Sequence, residues 1–150
     1  MLLSGFFFSI KQDMKSFPVI IALFLISCGS INGQVPDSLK FKSLLPYDFH
    51  LTYLKEEKTI LIDVREFSEF RTSRLKDAVN IPFLGDLELA ADSINKECAL
   101  FLYCSSGCRS KRVAMFFHDK GFNKLYSLEG GIVAWRKDGF PMVRKKVKRK

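Results

Sequence analysis

Histidine and tryptophan are nearly missing from this sequence of 150 residues, with two of the first and one of the second. Neither His50 nor His118 stands at a metal-ligand spacing from another donor, so no metal centre is expected, and both are expected on the surface. Cysteine is also scarce. Four in the whole chain are too few for a disulfide scaffold. No stretch reaches the roughly 18 unbroken apolar residues that a membrane-spanning helix requires. Disorder is excluded from the other side, because 47% of the residues are hydrophobic and 13% aromatic, enough to build a core. The length suits one domain.

Acid is in short supply too, with 16 Asp and Glu against 24 Lys and Arg, a net +8. The excess is local. Residues 144–150, R-K-K-V-K-R-K, carry +6, whereas residues 28–143 carry only +1. The body is therefore close to neutral, and the charge describes a tail. Three uses of such a tail stay open: a solvated appendage, a contact with anionic lipid, or a contact with nucleic acid. It holds no aromatic residue on which a base could stack, so no nucleic-acid partner is expected.

Residues 17–27, F-P-V-I-I-A-L-F-L-I-S, have the length of a signal-peptide apolar core and are too short to span a bilayer. Lys15 supplies the preceding positive charge if translation starts at Met14, which makes residues 1–13 an extension. The core ends in Leu25-Ile26-Ser27-Cys28, which resembles the bacterial lipobox, whose cysteine is lipidated and becomes the new N-terminus. The expected organisation is a leader over 1–27, a tether over 28–38, a domain over 39–143 and the basic tail over 144–150. The expected location is that of an exported lipoprotein, held at a membrane through Cys28, with the tail as a possible second contact, and facing the periplasm.

Within the domain, strands and helices alternate. Residues 59–64 (T-I-L-I-D-V) and 98–103 (C-A-L-F-L-Y) are continuous apolar runs, the pattern of parallel strands buried on both faces. Shorter strands are expected over 78–81 and 125–128. Helices are expected over 46–55, 66–71, 86–94, 110–120 and 131–137; the fourth carries Val113, Phe116 and Phe117 at helical spacing. Trp135 is expected to pack the last of them onto the sheet. This alternation argues for an α/β fold with a parallel sheet covered on both faces.

The second buried strand runs into Cys104-Ser105-Ser106-Gly107-Cys108-Arg109-Ser110. Ligands of open α/β sheets bind at the carboxyl ends of strands, where this loop lies. A tight turn of Ser and Gly before a helix can aim its backbone N–H groups at one point and bind an anion there. Cys104 opens the loop, so its sulfur sits at the centre of such a ring as a stabilised thiolate, the nucleophilic form of cysteine. Arg109 adds a fixed positive charge at the rim. Cys108 leaves two readings open: a small loop filler, or a resolving thiol that attacks a sulfur carried on Cys104. Cys98 is expected in the core.

Four stretches together resemble the single-domain rhodaneses, a family of sulfurtransferases: L-I-D-V-R-E-F-S-E-F (61–70), A-V-N-I-P (78–82), Y-C-S-S-G-C-R-S (103–110) and L-E-G-G-I-V-A-W-R-K-D-G-F-P (128–141). The resemblance implies a rhodanese-like α/β fold with a five-stranded parallel sheet flanked by helices on both faces. It implies a persulfide on Cys104, formed from a donor such as thiosulfate and passed to a thiol or cyanide acceptor. It implies a substrate-binding loop of Ser105, Ser106, Gly107, Cys108, Arg109 and Ser110, and no cofactor. Asp63 and Arg65 match the D-V-R of the family and are expected to form a supporting network beneath the site. The spacing C-x4-R is one residue shorter than the C-x5-R of related phosphatases and arsenate reductases, which favours a sulfur atom over a tetrahedral oxyanion. The chain departs from the family at Ser73-Arg74-Leu75, where Gly-His-Ile is usual. A different class of function is a non-catalytic sulfide-binding or thiol–disulfide module using Cys104 and Cys108. A monomer is expected.

Overall fold

The computed structural model describes residues 40–145, together with Pro36. Cys28, the leader, most of the tether and tail residues 146–150 lie outside the described residues. Among the described residues, no helix is long and apolar enough to cross a membrane.

Within the described residues, seven strands and five helices follow in the order β1 (Lys42–Leu44), α1 (Pro46–Lys55), β2 (Thr59–Asp63), α2 (Phe67–Thr72), β3 (Ser73–Arg74), β4 (Val79–Asn80), α3 (Leu87–Ser93), β5 (Ala99–Tyr103), α4 (Cys108–Asp119), β6 (Leu125–Leu128), α5 (Gly131–Lys137) and β7 (Val143–Arg144). Five of the strands form one sheet in the order β1-β6-β5-β2-β4, and every pairing in it is parallel. This is the rhodanese-like α/β sheet that the sequence leads one to expect.

The strand β5 lies at the centre of the sheet and is buried at all five positions. Successive side chains of a strand point to opposite faces, and each face of β5 meets a different layer. Leu100, Leu102 and Cys104 join Ile62, Val64, Val113 and Phe117, under α3 and α4. Ala99, Phe101 and Tyr103 join Phe49, Tyr126, Ile132 and Trp135, under α1 and α5. A strand with apolar neighbours on both sides has no polar alternation to show, which is why its sequence reads as an unbroken run. Phe101 is the densest point: its ring stacks on Tyr126 at 4.5 Å and takes the edges of Phe49 and Tyr53, each at 5.2 Å. Trp135 packs α5 onto this face as expected; its ring meets Phe49 edge-on, and its indole N–H donates to the Pro141 carbonyl at 3.0 Å.

Four of the sheet strands are expected from sequence; the fifth, β1, is an edge strand. Its three residues pair with Tyr126–Leu128, so it is defined by its partner more than by its own pattern. The departure at Ser73-Arg74 has a structural counterpart. These two residues pair antiparallel with Val143 and Arg144, and the Lys145 N–H donates to the Thr72 carbonyl at 3.0 Å. The described end of the chain is thereby tied beside α2. The helix α4 starts at Cys108, two residues before the expected start at Ser110, because Gly107 is its N-cap. The expectation that both histidines lie on the surface is corrected for His50, which is half-buried, its ring 5.6 Å from those of Trp135 and Phe140. The His118 side chain is 29% exposed beside Asp119.

Candidate active site

The centre of the site is the turn from β5 into α4. Cys104 follows the last strand residue and is 1% exposed. Gly107 turns the chain in the left-handed region, φ 97°, where a side chain would be strained. A Cβ there would also press within 3.2 Å of the Gly130 nitrogen and the Leu128 carbonyl. The turn points the backbone N–H groups of Ser106, Gly107 and Ser110 at the Cys104 sulfur; the Gly107 nitrogen is 3.1 Å from Sγ. The Ser110 hydroxyl lies 3.8 Å from Sγ and 3.0 Å from both the Gly107 carbonyl oxygen and Ser127 Oγ.

Burial by itself pushes the Cys104 thiol up, since a charged sulfur is costly in an apolar setting. The three backbone donors and the Ser110 hydroxyl outweigh it, and the net shift is downward. The twelve-residue helix α4 adds its positive end on the same side.

A second helix braces the loop from behind. The N–H groups of Ile132 and Val133, in the first turn of α5, donate to the Cys104 and Ser105 carbonyls at 2.9 and 3.2 Å. This approach requires a residue without a side chain at Gly131: a Cβ there would collide with the Cys104 carbonyl oxygen and lie 2.6 Å from that of Ser105. The second glycine of the E-G-G-I stretch is therefore a packing requirement of the loop.

Arg109 and Ser105 form the rim, together with Glu69, which sequence reasoning missed. The Ser105 hydroxyl donates to Glu69 Oε1 at 2.8 Å. The Arg109 guanidinium reaches Glu69 Oε2 at 3.2 Å and Ser105 Oγ at 3.0 Å, and it also faces the Cys104 sulfur. Glu69 is held by its own helix as well, because Oε2 accepts the Glu66 N–H at 3.2 Å in a capping box that opens α2. Partial burial raises the Glu69 pKa, but its bonds to Ser105 and Arg109 more than offset this and leave it lowered. The carboxylate is ionised at neutral pH. Its sequence signal was the capping-box spacing, Glu66 to Glu69, which speaks only for a helix start.

Asp63 and Arg65 form a buried pair at the end of β2, 0% and 4% exposed. Arg65 Nε and Nη2 reach the Asp63 carboxylate at 2.9 and 2.6 Å, and Nη2 also donates to the Ser73 carbonyl at 2.6 Å. Burial lowers the guanidinium pKa, yet the Asp63 bonds reverse this and leave it raised. The guanidinium lies 5.6 Å from the Tyr103 ring centre, and the Tyr103 hydroxyl accepts the Leu75 N–H at 3.1 Å. Arg65 and Ser105 share the wall of a small cavity of about 200 Å³ with Ser73, Ile132, Arg136 and Met142.

Of the expected site residues, Ser106, Gly107, Arg109 and Ser110 converge on the Cys104 sulfur, and Ser105 stands at the rim. Cys108 is placed differently from its expected position inside the loop. It is the first residue of α4, exposed, and its thiol is free. Cys98, expected in the core, is half-buried just before β5. Neither Ser127 nor Gly131 was singled out from sequence.

A parallel sheet of this order with a cysteine-centred anion loop at the end of its middle strand is the architecture of a cysteine-dependent transferase or phosphatase. Comparison with known proteins identifies the family. Residues 50–138 match the model of the rhodanese-like domain, and the chain belongs to that family. A sulfurtransferase of Allochromatium vinosum is 30% identical over 87 residues, covering 58% of this chain and 80% of that protein. YqhL of Bacillus subtilis, of uncharacterized function, is 33% identical over 117 residues, covering 78% and 88%. The crystal structure of a rhodanese-related protein from Thermoplasma volcanium superposes with a TM-score of 0.61 at 25% identity, over 70% of this chain and all of that one.

Proposed function

We propose that the protein is a sulfurtransferase that carries a sulfane sulfur on Cys104. In the first half-reaction the Cys104 thiolate attacks the outer sulfur of a donor such as thiosulfate. The S–S bond of the donor breaks, its electron pair leaves with sulfite, and Cys104 becomes a persulfide. In the second, a thiol or cyanide attacks the terminal sulfur of the persulfide, and the Cys104 thiolate is regenerated. Both half-reactions place negative charge on sulfur inside the N–H ring, where fixed donors stabilise it without reorganising. The observation that carries this reading is the convergence of three backbone N–H groups on a buried Cys104 sulfur. The C-x4-R spacing supports sulfur over phosphate.

The test is mass spectrometry of the protein after incubation with thiosulfate. A gain of one sulfur atom on Cys104, discharged as thiocyanate by cyanide and absent from Cys104→Ser, is the expected result. No gain, with a Cys104–Cys108 disulfide in its place, would overturn the reading in favour of a redox module.

The proposal extends to location. The apolar run over 17–27 and the Leu25-Ile26-Ser27-Cys28 motif support export and lipid attachment at Cys28, with the domain displayed from a membrane surface.

A further inference from the structure

The two arginines of the site do not offer free positive charge. Arg65 is closed on Asp63, and Arg109 is closed on Glu69. The second pair is tied into a triangle, since Ser105 Oγ donates to one Glu69 oxygen at 2.8 Å and accepts from Arg109 Nη2 at 3.0 Å. The cation that faces the reacting sulfur is thus paired with a carboxylate about one-third exposed. What remains to attract a donor is the N–H ring and the positive end of α4, which suit one negative charge on sulfur. A second negative charge on the donor would sit at the rim, against Glu69. Arg136, on the wall of the adjoining cavity, is exposed and screened by solvent.

We propose that Glu69 sets the charge of the sulfur donor: singly charged sulfane donors, thiosulfonates and organic persulfides, are used in preference to doubly charged thiosulfate. The inference rests on the sulfurtransferase reading and narrows its substrate class. Methanethiosulfonate is the informative probe. It has the shape of thiosulfate with a methyl group in place of one oxygen, and one charge fewer. Its reaction balances in the same way: the Cys104 thiolate takes the outer sulfur, the S–S bond breaks, and methanesulfinate leaves with the electron pair.

The experiment compares kcat/KM for methanethiosulfonate and for thiosulfate in the wild type and in Glu69→Gln. Glutamine keeps one acceptor oxygen for the Glu66 N–H, and its amide N–H can donate to Ser105 Oγ in place of accepting from it, so the main change is one of charge. The wild type is expected to favour methanethiosulfonate. Glu69→Gln is expected to lower KM for thiosulfate by about three- to tenfold relative to that for methanethiosulfonate, as removing one nearby, partly solvated charge should. Sulfite, the doubly charged product, should inhibit the variant more strongly. Glu66→Gln removes a neighbouring exposed charge that is not on Arg109 and should leave the donor ratio where it was.

A donor ratio that does not move in Glu69→Gln, or that moves equally in Glu66→Gln, overturns the inference while Cys104 loading stands. A wild type that loads sulfur from neither donor overturns the functional reading itself.

Discussion

At the scale of single residues, the sulfur of Cys104 is the clearest case of environment overriding intrinsic chemistry. A cysteine that is 1% exposed should resist ionisation, yet its pKa is lowered because the loop brings backbone donors to it. Alkylation of Cys104 by iodoacetamide should therefore reach its half-maximal rate at a pH below the ordinary cysteine value of about 8.5. Ser110→Ala should move that midpoint upward, since it removes the hydroxyl donor. A midpoint equal to that of a free thiol would mean that the ring does not act on the sulfur. The same shift enters stability. The folded pKa lies below the unfolded one, so the contribution is fully present above the unfolded pKa and is lost as pH falls through the folded pKa.

Gly131 makes a different residue-scale prediction. Gly131→Ala places a methyl group against the Cys104 and Ser105 carbonyls at φ 59°, which is unfavourable for any side chain. The backbone must shift where the loop is braced. Persulfide formation should fall sharply, and thermal unfolding should show a loss of about 1–3 kcal/mol. Alanine with full activity and an unchanged Tm would show that the α5 brace does not hold the loop.

At the scale of elements, β5 carries both the core and the nucleophile. Phe101→Ala would remove the ring that Phe49, Tyr53 and Tyr126 pack against. A cost of about 3–5 kcal/mol in chemical denaturation is expected for an aromatic deletion of this kind. Leu89→Ala on α3, 67% exposed, should cost far less. Most elements were legible in the sequence because their signal is local: the apolar run of β5, the Val113-Phe116-Phe117 spacing of α4, the Gly131 start of α5. What escaped is set by contacts distant in the chain. The short strands β1, β3 and β7 exist through their partners. Glu69 reaches the site from 36 residues away in sequence from Ser105. The loop itself was readable because its parts are contiguous; the triangle at its rim was not, because α2 supplies one corner.

At the scale of the whole chain, the four cysteines separate by environment: Cys104 in a ring of donors, Cys98 half-buried, Cys108 exposed on α4, and Cys28 in the segment that resembles a lipobox. The separation makes the proposed location testable without touching the chemistry. The lipid proposed at Cys28 and the sulfur atom proposed at Cys104 are chemically distinct loads on different residues, so each can be removed alone. In cells fed radioactive palmitate, the full chain should take up label and sediment with membranes. Cys28→Ala should lose the label and still load sulfur from a donor once purified, because the Ser106, Gly107, Ser110 and Arg109 groups at the Cys104 sulfur all lie within residues 40–145. Cys104→Ser should do the reverse, keeping the label and losing the persulfide. Label retained in Cys28→Ala would sink the anchor and leave the transferase reading in place. The basic tail has a measurable part of its own: removing residues 146–150 takes away four of its six cations. That deletion should weaken binding to anionic vesicles at low salt, by up to about 1 kcal/mol per cation near the surface, and leave binding to neutral vesicles unchanged.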